Sequence, residues 1–321
     1  MSAQVAAVIY NPIKVDIDEL KAAVAAEPGS EGWDVQWLPT SEDDPGQGPA
    51  RSAKDAGATL VVAVGGDGTV RAVAEVLRAT GIPLALLPSG TGNLLARNLK
   101  LTLDDTANSL ATAFTGGTRD IDVAGIEIRR EDGSVDKHAF LVMAGAGLDA
   151  KIMSNTDPEL KKKVGWLAYA RALVAVLRDK SVLRLQYKLD AHRNRSERAQ
   201  AIVIGNCGSL PANIMLLPDA VVDDGLLDVI VLKPESFRGW LAVVFKIFWE
   251  NGVVKRTKLG KRMTDLNTDS VDMRQGKSLT VRLSTPEEVE LDGDPFGVTV
   301  GFRVVVEPGA LVIKVPSDSP G

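Results

Sequence analysis

Two glycine-rich segments in the first third of the chain have the residue types and spacing of phosphate-holding loops. Gly65-Gly66-Asp67-Gly68-Thr69 follows the apolar run 58–64 and precedes an amphipathic stretch from Val70. A loop between a buried strand and a helix start presents free backbone N–H groups, and the helix dipole adds partial positive charge there. The glycines let the backbone approach an anion closely. Asp67 is the odd member, because a bare carboxylate repels phosphate. It fits if it binds Mg2+ directly or through water, or if it holds the loop. A second segment, 86–93, follows the apolar run 82–87. There Ser89, Thr91 and Asn93 supply donors, and Gly90 and Gly92 permit close approach. On successive strands the two loops should lie side by side.

Two other motifs fail on spacing. Residues 145–150 (GAGLDA) fit a dinucleotide-type glycine pattern but lack an acidic residue about 20 positions on. Residues 275–278 (QGKS) resemble the end of a P-loop, yet the first required glycine falls on Val271.

The elements that must carry the loops follow from hydrophobic patterning. Apolar runs at 5–10, 58–64 and 82–88 and an alternating run at 33–38 read as strands. Helical patterns fall at 16–26, 50–57, 70–81 and 104–114. This alternation predicts a parallel sheet covered on both faces, with the ligand beyond the strands' carboxyl ends. After about residue 120, strand-like segments dominate, interrupted by helical stretches at 159–178 and 237–250. A β-sandwich-like second domain is expected, with the boundary near 118–122 and a disordered tail from 316 to 321.

Composition removes several classes. One cysteine, Cys207, forms no intramolecular disulfide and no cysteine-rich zinc site. His138 and His192 are the only histidines and read as ordinary residues. Lys and Arg total 37 against 42 Asp and Glu, which argues against nucleic acid as a partner. The N-terminus lacks a basic lead, and no apolar run is long enough to span a bilayer, so the expectation is a cytoplasmic protein.

The ordered set 10–12 (YNP), 65–69 (GGDGT), 90–97 (GTGN followed by AR), 145–150, 223–229 (DDGLLDV) and 291–295 (LDGDP) resembles the diacylglycerol kinase / sphingosine kinase family in its bacterial lipid kinase branch. The resemblance runs nearly end to end. It implies an α/β nucleotide domain at 1–120 of NAD kinase/diacylglycerol kinase-like fold, completed by a returning segment at 303–315. The β-rich lipid-substrate domain is then 121–302. ATP would contact Asn11, Thr40, Ser41, Gly65, Gly66, Asp67, Gly68, Thr69, Arg71 and Thr91. Asp122 matches an acidic position that would orient the acceptor. Asp224, with the backbone at Leu226, matches a Mg2+ loop. The family's proposed base, a glutamate, is Asp294 here, one methylene shorter. Leu94 and Lys14-Val15 depart from the usual pattern as well, and Lys14 would help to hold phosphate.

The implied function is an ATP- and Mg2+-dependent lipid kinase acting on a diacylglycerol-like or long-chain-base hydroxyl. The alternatives are an NAD kinase-like enzyme and a relative that binds nucleotide or lipid with little turnover. Phe237, Trp240, Phe245, Phe248 and Trp249 precede Lys255, Arg256, Lys258, Lys261 and Arg262. An aromatic helix beside a basic cluster suits peripheral contact of 237–262 with the inner membrane face. The reading leaves room for a homodimer.

Overall fold

The computed structural model describes residues 4–90, 92–147, 182–210, 214–217, 219–233 and 271–317. Thr91 and the expectations at 159–178 and 237–262 lie outside these residues. The first part runs β1 (Gln4–Tyr10), α1 (Ile17–Ala26), β2 (Trp33–Pro39), α2 (Gln47–Asp55), β3 (Leu60–Gly65), α3 (Asp67–Leu77), β4 (Leu84–Pro88), α4 (Leu94–Asn98) and α5 (Thr106–Thr115). The second runs β5 (Gly117–Arg129), β6 (Val135–Phe140), β7 (Met143–Ala146), β8 (Leu183–Leu189), β9 (Arg195–Ala199), β10 (Ala201–Gly205), β11 (Ser209–Leu210), β12 (Ile214–Met215), β13 (Leu227–Leu232), β14 (Val271–Gly276), β15 (Ser278–Leu291) and β16 (Asp294–Val315).

β2, β1, β3 and β4 form a parallel sheet in that order. Alternate residues feed two apolar layers, because successive side chains of a strand point to opposite faces. Ala6, Val8, Val62 and Val64 pack with Leu20 of α1 and Phe114 of α5. Ala7, Ile9, Val61 and Ala63 pack with Ala50 of α2 and Val73 and Leu77 of α3. The helices therefore cover both faces, and the carboxyl ends of β1, β3 and β4 share one edge.

The helices differ from the periodicity in their ends. α3 starts three residues before Val70, because the glycine motif itself forms the first helical turn with Gly66 as N-cap. It ends at Leu77 rather than 81, since Ala79 turns left-handed (φ 58°) and its N–H donates to the Ala310 carbonyl. α2 starts at Gln47 because the Asp44 carboxylate accepts the Gly46 and Gly48 N–H groups. The short α4 was not expected.

The sandwich is built from two antiparallel layers. One is β14-β13-β10-β7 and the far half of β15; the other is β9-β8, the near half of β15, β16, β5 and β6. A register shift between Arg282 and Glu287 lets β15 pass from one layer to the other. The core between them includes Phe140, Leu185, Ile202, Val281, Phe302 and Val304.

The expected returning segment, 303–315, is the second half of one long strand, β16. It pairs with β15 and β5 and then reaches β4 in parallel at Ile313–Leu84. Leu311, Ile313 and Val315 enter the core around α3. The expected boundary at 118–122 falls inside β5, which follows β16 from the sandwich to the parallel sheet. Gly145 of the glycine pattern sits on β7, which pairs antiparallel with β10 and β15 rather than in a parallel sheet, and residues 148–150 of the pattern lie outside the described residues. Residues 275–278 join β14 to β15. No helix among the described residues is long and apolar enough to cross a membrane.

Candidate active site

The two glycine segments lie side by side. The Ser89 N–H donates to the Gly65 carbonyl at 3.0 Å. A Cβ on Gly90 would sit 2.8 Å from the Gly66 Cα, so this pair of backbones can pass only as glycine. Thr69 is buried and folds over Gly65. Gly66 at the N-cap makes no side-chain cap, so the first-turn N–H groups of α3 stay available to an anion. The Lys14 ammonium comes within 3.5 Å of where a Gly66 Cβ would lie.

Asn93 shapes the second loop. Its backbone is left-handed (φ 49°), its Oδ1 accepts the Gly90 N–H and its Nδ2 donates to the Gly90 carbonyl at 2.8 Å. The Arg97 Nε donates to the Gly92 carbonyl at 2.7 Å. Asp67 answers the question its motif posed. Its Oδ1 accepts the Leu94 N–H at 2.5 Å, so this carboxylate ties the first glycine loop to the start of α4. Burial pushes its pKa up against that bond, and nearby Asp294 adds to the rise.

Asn11, Thr40 and Ser41 flank the same edge. The Asn11 N–H donates to the Val64 carbonyl, and its Oδ1 accepts the Ile13 N–H. The Thr40 N–H donates to the Tyr10 carbonyl, and the Ser41 Oγ accepts the Asp44 N–H. Asn11 follows β1 beside β3, and Thr40 and Ser41 follow β2 on the far side of β1.

The opposing wall is the turn between β15 and β16. Asp292 is left-handed (φ 50°) and buried. Its Oδ2 accepts the Leu141 N–H at 2.9 Å, and its Oδ1 accepts those of Val142 and Met143 at 2.8 and 2.9 Å. Burial nevertheless raises its pKa to about 6. With Asp292 pinned, Asp294 is delivered to α3. Its Oδ2 would lie 2.7 Å from a Cβ on Gly68, so glycine there makes room for the carboxylate. Asp294 stays 47% exposed, and Arg71 Nη2 meets it at 3.4 Å.

Arg71 is the most telling side chain. It is 5% exposed, yet its Nε and Nη1 have no hydrogen-bond partner. Buried guanidinium nitrogens without acceptors are costly. The site therefore fits an added anion, the phosphate of a nucleotide being the obvious chemistry. The guanidinium stacks 4.4 Å over Phe296, whose ring meets His138 edge-on at 4.8 Å. Glu75 approaches His138 Nδ1 at 3.7 Å and accepts the Ala139 N–H. Burial pushes Glu75 upward, but His138 and that N–H outweigh it and hold its pKa below the usual value. Sequence reasoning missed Phe296, Glu75 and the part played by His138. Only the two-residue offset of Phe296 from Asp294 hinted at it.

Asp122 has a different setting. It is 1% exposed, with Oδ2 accepting the Gly225 N–H at 2.6 Å and Oδ1 the Gly309 N–H at 2.8 Å. It lies opposite the register shift of β16 between Glu307 and Leu311. It thus clasps the bulge where β16 leaves the sandwich for the parallel sheet. In the neighbouring turn, Asp223 pairs with Arg119 at 2.6 Å. Asp224 Oδ1 accepts the Leu226 N–H. Burial raises the Asp224 pKa, and Asp122 and Asp223 raise it further. The turn offers one exposed carboxylate plus backbone carbonyls, an oxygen-only set that suits a hard cation. Among the described residues no group of three His, Cys, Asp or Glu side chains is placed to hold a metal.

Comparison with known proteins gives the family and the fold. Residues 5–126 match the diacylglycerol kinase catalytic domain, and residues 142–315 match the YegS C-terminal NAD kinase beta sandwich-like domain. The chain belongs to the diacylglycerol kinase family, in its YegS-like branch. A probable lipid kinase YegS-like from Pseudomonas fluorescens is 31% identical, over 100% of this chain and 98% of that protein. One from Pseudomonas aeruginosa is 34% identical, over 94% and 91%. A putative diacylglycerol kinase from Bacillus anthracis shares the fold with a TM-score of 0.70 at 22% identity, covering 97% of this chain and 95% of that one. An NAD kinase from Archaeoglobus fulgidus in complex with ATP has a TM-score of 0.51 at 11% identity, covering 98% and 94%. The likeness to NAD kinases is thus one of fold.

Proposed function

We propose that the protein is a lipid kinase that transfers the γ-phosphoryl group of ATP to a lipid hydroxyl, such as that of diacylglycerol or a long-chain base. The observation that carries this reading is buried Arg71, with two unpartnered nitrogens, standing between the glycine loops and Asp294. The glycine loops and Lys14 would hold the phosphates, and Arg71 would take a phosphate oxygen with its free nitrogens. The lipid oxygen would attack the γ-phosphorus, the bond to the bridging β–γ oxygen would break, and ADP would leave. Asp294, exposed enough to meet substrate, would accept the hydroxyl proton. Most of the acceleration would come from placing and neutralising the phosphoryl group. Mg2+ would supply part of that neutralisation when bound; Asp224, with carbonyls near Leu226, offers oxygen ligands of the kind it takes.

The second reading is an NAD kinase-like activity, favoured by the fold shared with such enzymes. The two are separated by incubating the protein with γ-labelled ATP, NAD and a panel of lipids in mixed micelles. Label in the lipid phase supports the proposal; label in NADP alone overturns it.

A further inference from the structure

The strand register places a set of basic residues on the outer face of the sandwich layer β9-β8-β15-β16-β5-β6. Residues paired across neighbouring strands share a face. Arg198 pairs with Arg184, Gln186 with Arg282, Lys188 with Thr280, Thr280 with Arg303, and Gly301 with Arg129. The opposite face of the same strands carries Leu185, Tyr187, Val281, Phe302 and Ile128 into the core. Arg129, Arg184, Lys188, Arg198, Arg282 and Arg303 are all exposed. None of the six has an ion-pair partner among the described residues. Two acids of β5 and β16 share this register: Glu127 is met by Lys137 of the adjacent strand at 3.5 Å, and Glu307, at the end next to α3, by Arg78 at 3.1 Å. A chain of net charge -5 therefore presents one strongly positive sheet face.

We infer that this face docks the protein on an anionic lipid bilayer, with the guanidinium groups on lipid phosphates. Six strands side by side give a broad surface rather than a groove. Arginine is suited to phosphate oxygens, and a rigid sheet holds its row of side chains without folding on contact. No aromatic residue stands among the basic ones, so the face lacks the stacking platforms that single-stranded nucleic acid uses. Its exposed apolar side chains are the valines Val135 and Val182 at its edges, too short to reach far into a bilayer, so docking is electrostatic and weakens with salt. The acidic remainder of the molecule turns this face toward the bilayer. The choice of a lipid partner rests on the lipid-kinase reading; the positive face itself does not. It also involves none of the residues 237–262.

The test is co-sedimentation with vesicles of phosphatidylcholine, with and without phosphatidylglycerol, using the full chain without ATP. The wild type is expected on the anionic vesicles only, and high salt releases it. The variant Arg184→Glu/Arg282→Glu/Arg303→Glu should bind them on the order of 100-fold more weakly, and the matching triple Gln variant should fall between. Far-ultraviolet circular dichroism checks that both remain folded. Equal binding of wild type and Glu variant, equal binding to both vesicle types, or no binding by the wild type overturns the inference. Turnover on a micellar short-chain lipid separates the two claims. Micellar activity kept by the Glu variant with vesicle binding lost supports docking through this face. Vesicle binding without any turnover in the wild type leaves the docking face standing and removes the kinase.

Discussion

Asp122, in β5, and Asp292, in the turn between β15 and β16, contrast with Asp294 two residues beyond the second of them. The first two are buried, and every carboxylate oxygen accepts at least one backbone N–H. Asp294 is half exposed, and among the described residues its carboxylate pairs with Arg71 alone. The same side chain thus serves as backbone glue in one region and as a free acceptor in the other. What separates the roles is the supply of N–H donors, not the motif. Asp67 belongs with the glue, although it sits inside the glycine loop. The contrast predicts that losing a tied carboxylate costs stability first, whereas losing the free one costs chemistry alone.

The largest effect should come from Asp122→Ala. It strands the N–H groups of Gly225 and Gly309 at the β16 bulge, and hydrogen bonds to a charged group contribute about 1.5–3 kcal/mol each. A loss of roughly 3 kcal/mol or more is expected in urea unfolding, and an unchanged midpoint would break the contrast.

Asp292 sharpens it through pH. Its pKa is raised from 3.8 to about 6 by burial. A carboxyl with a raised folded-state pKa contributes its full stability below the unfolded value and loses it as pH rises through the folded one. The advantage of wild type over Asp292→Asn should therefore shrink by up to about 3 kcal/mol between pH 4 and 7. An advantage that grows over that range would contradict the setting described.

Asp67→Ala should free the Leu94 N–H and loosen the second glycine loop. ATP affinity is expected to fall about tenfold, with a stability loss near 1 kcal/mol, as isothermal titration and thermal melting would report. Phe296→Leu should have the smallest effect. It removes a stacked cation–π contact of about 1 kcal/mol, so kcat should drop several-fold while the KM for ATP stays put. A change confined to KM would place Arg71 in binding alone.

The readable parts of the molecule were those whose chemistry is contiguous in the chain. Residues 65–69 and 86–93 announced both loops and their adjacency, because glycine, donors and flanking apolar strands occur within a few residues. Asp294 and Asp122 came into view through the family resemblance, which carries position but not environment. The tie of Asp122 to Gly309 depends on a bulge almost 190 residues away, which no local pattern encodes. The stack of Arg71 on Phe296 and His138 joins three distant elements. The basic face is the extreme case. Its residues alternate with core residues on separate strands, so each reads locally as an ordinary solvated charge, and only register gathers them. Short α4 lies below the length at which helical periodicity can be read.

The central claim is that the glycine loops bind while Asp294 performs the chemistry. Its most direct test is Asp294→Asn, assayed for ATP binding and for single-turnover transfer to micellar lipid. The account predicts ATP affinity within about threefold of wild type and transfer slowed by about 100-fold or more. Transfer at the wild-type rate would contradict it.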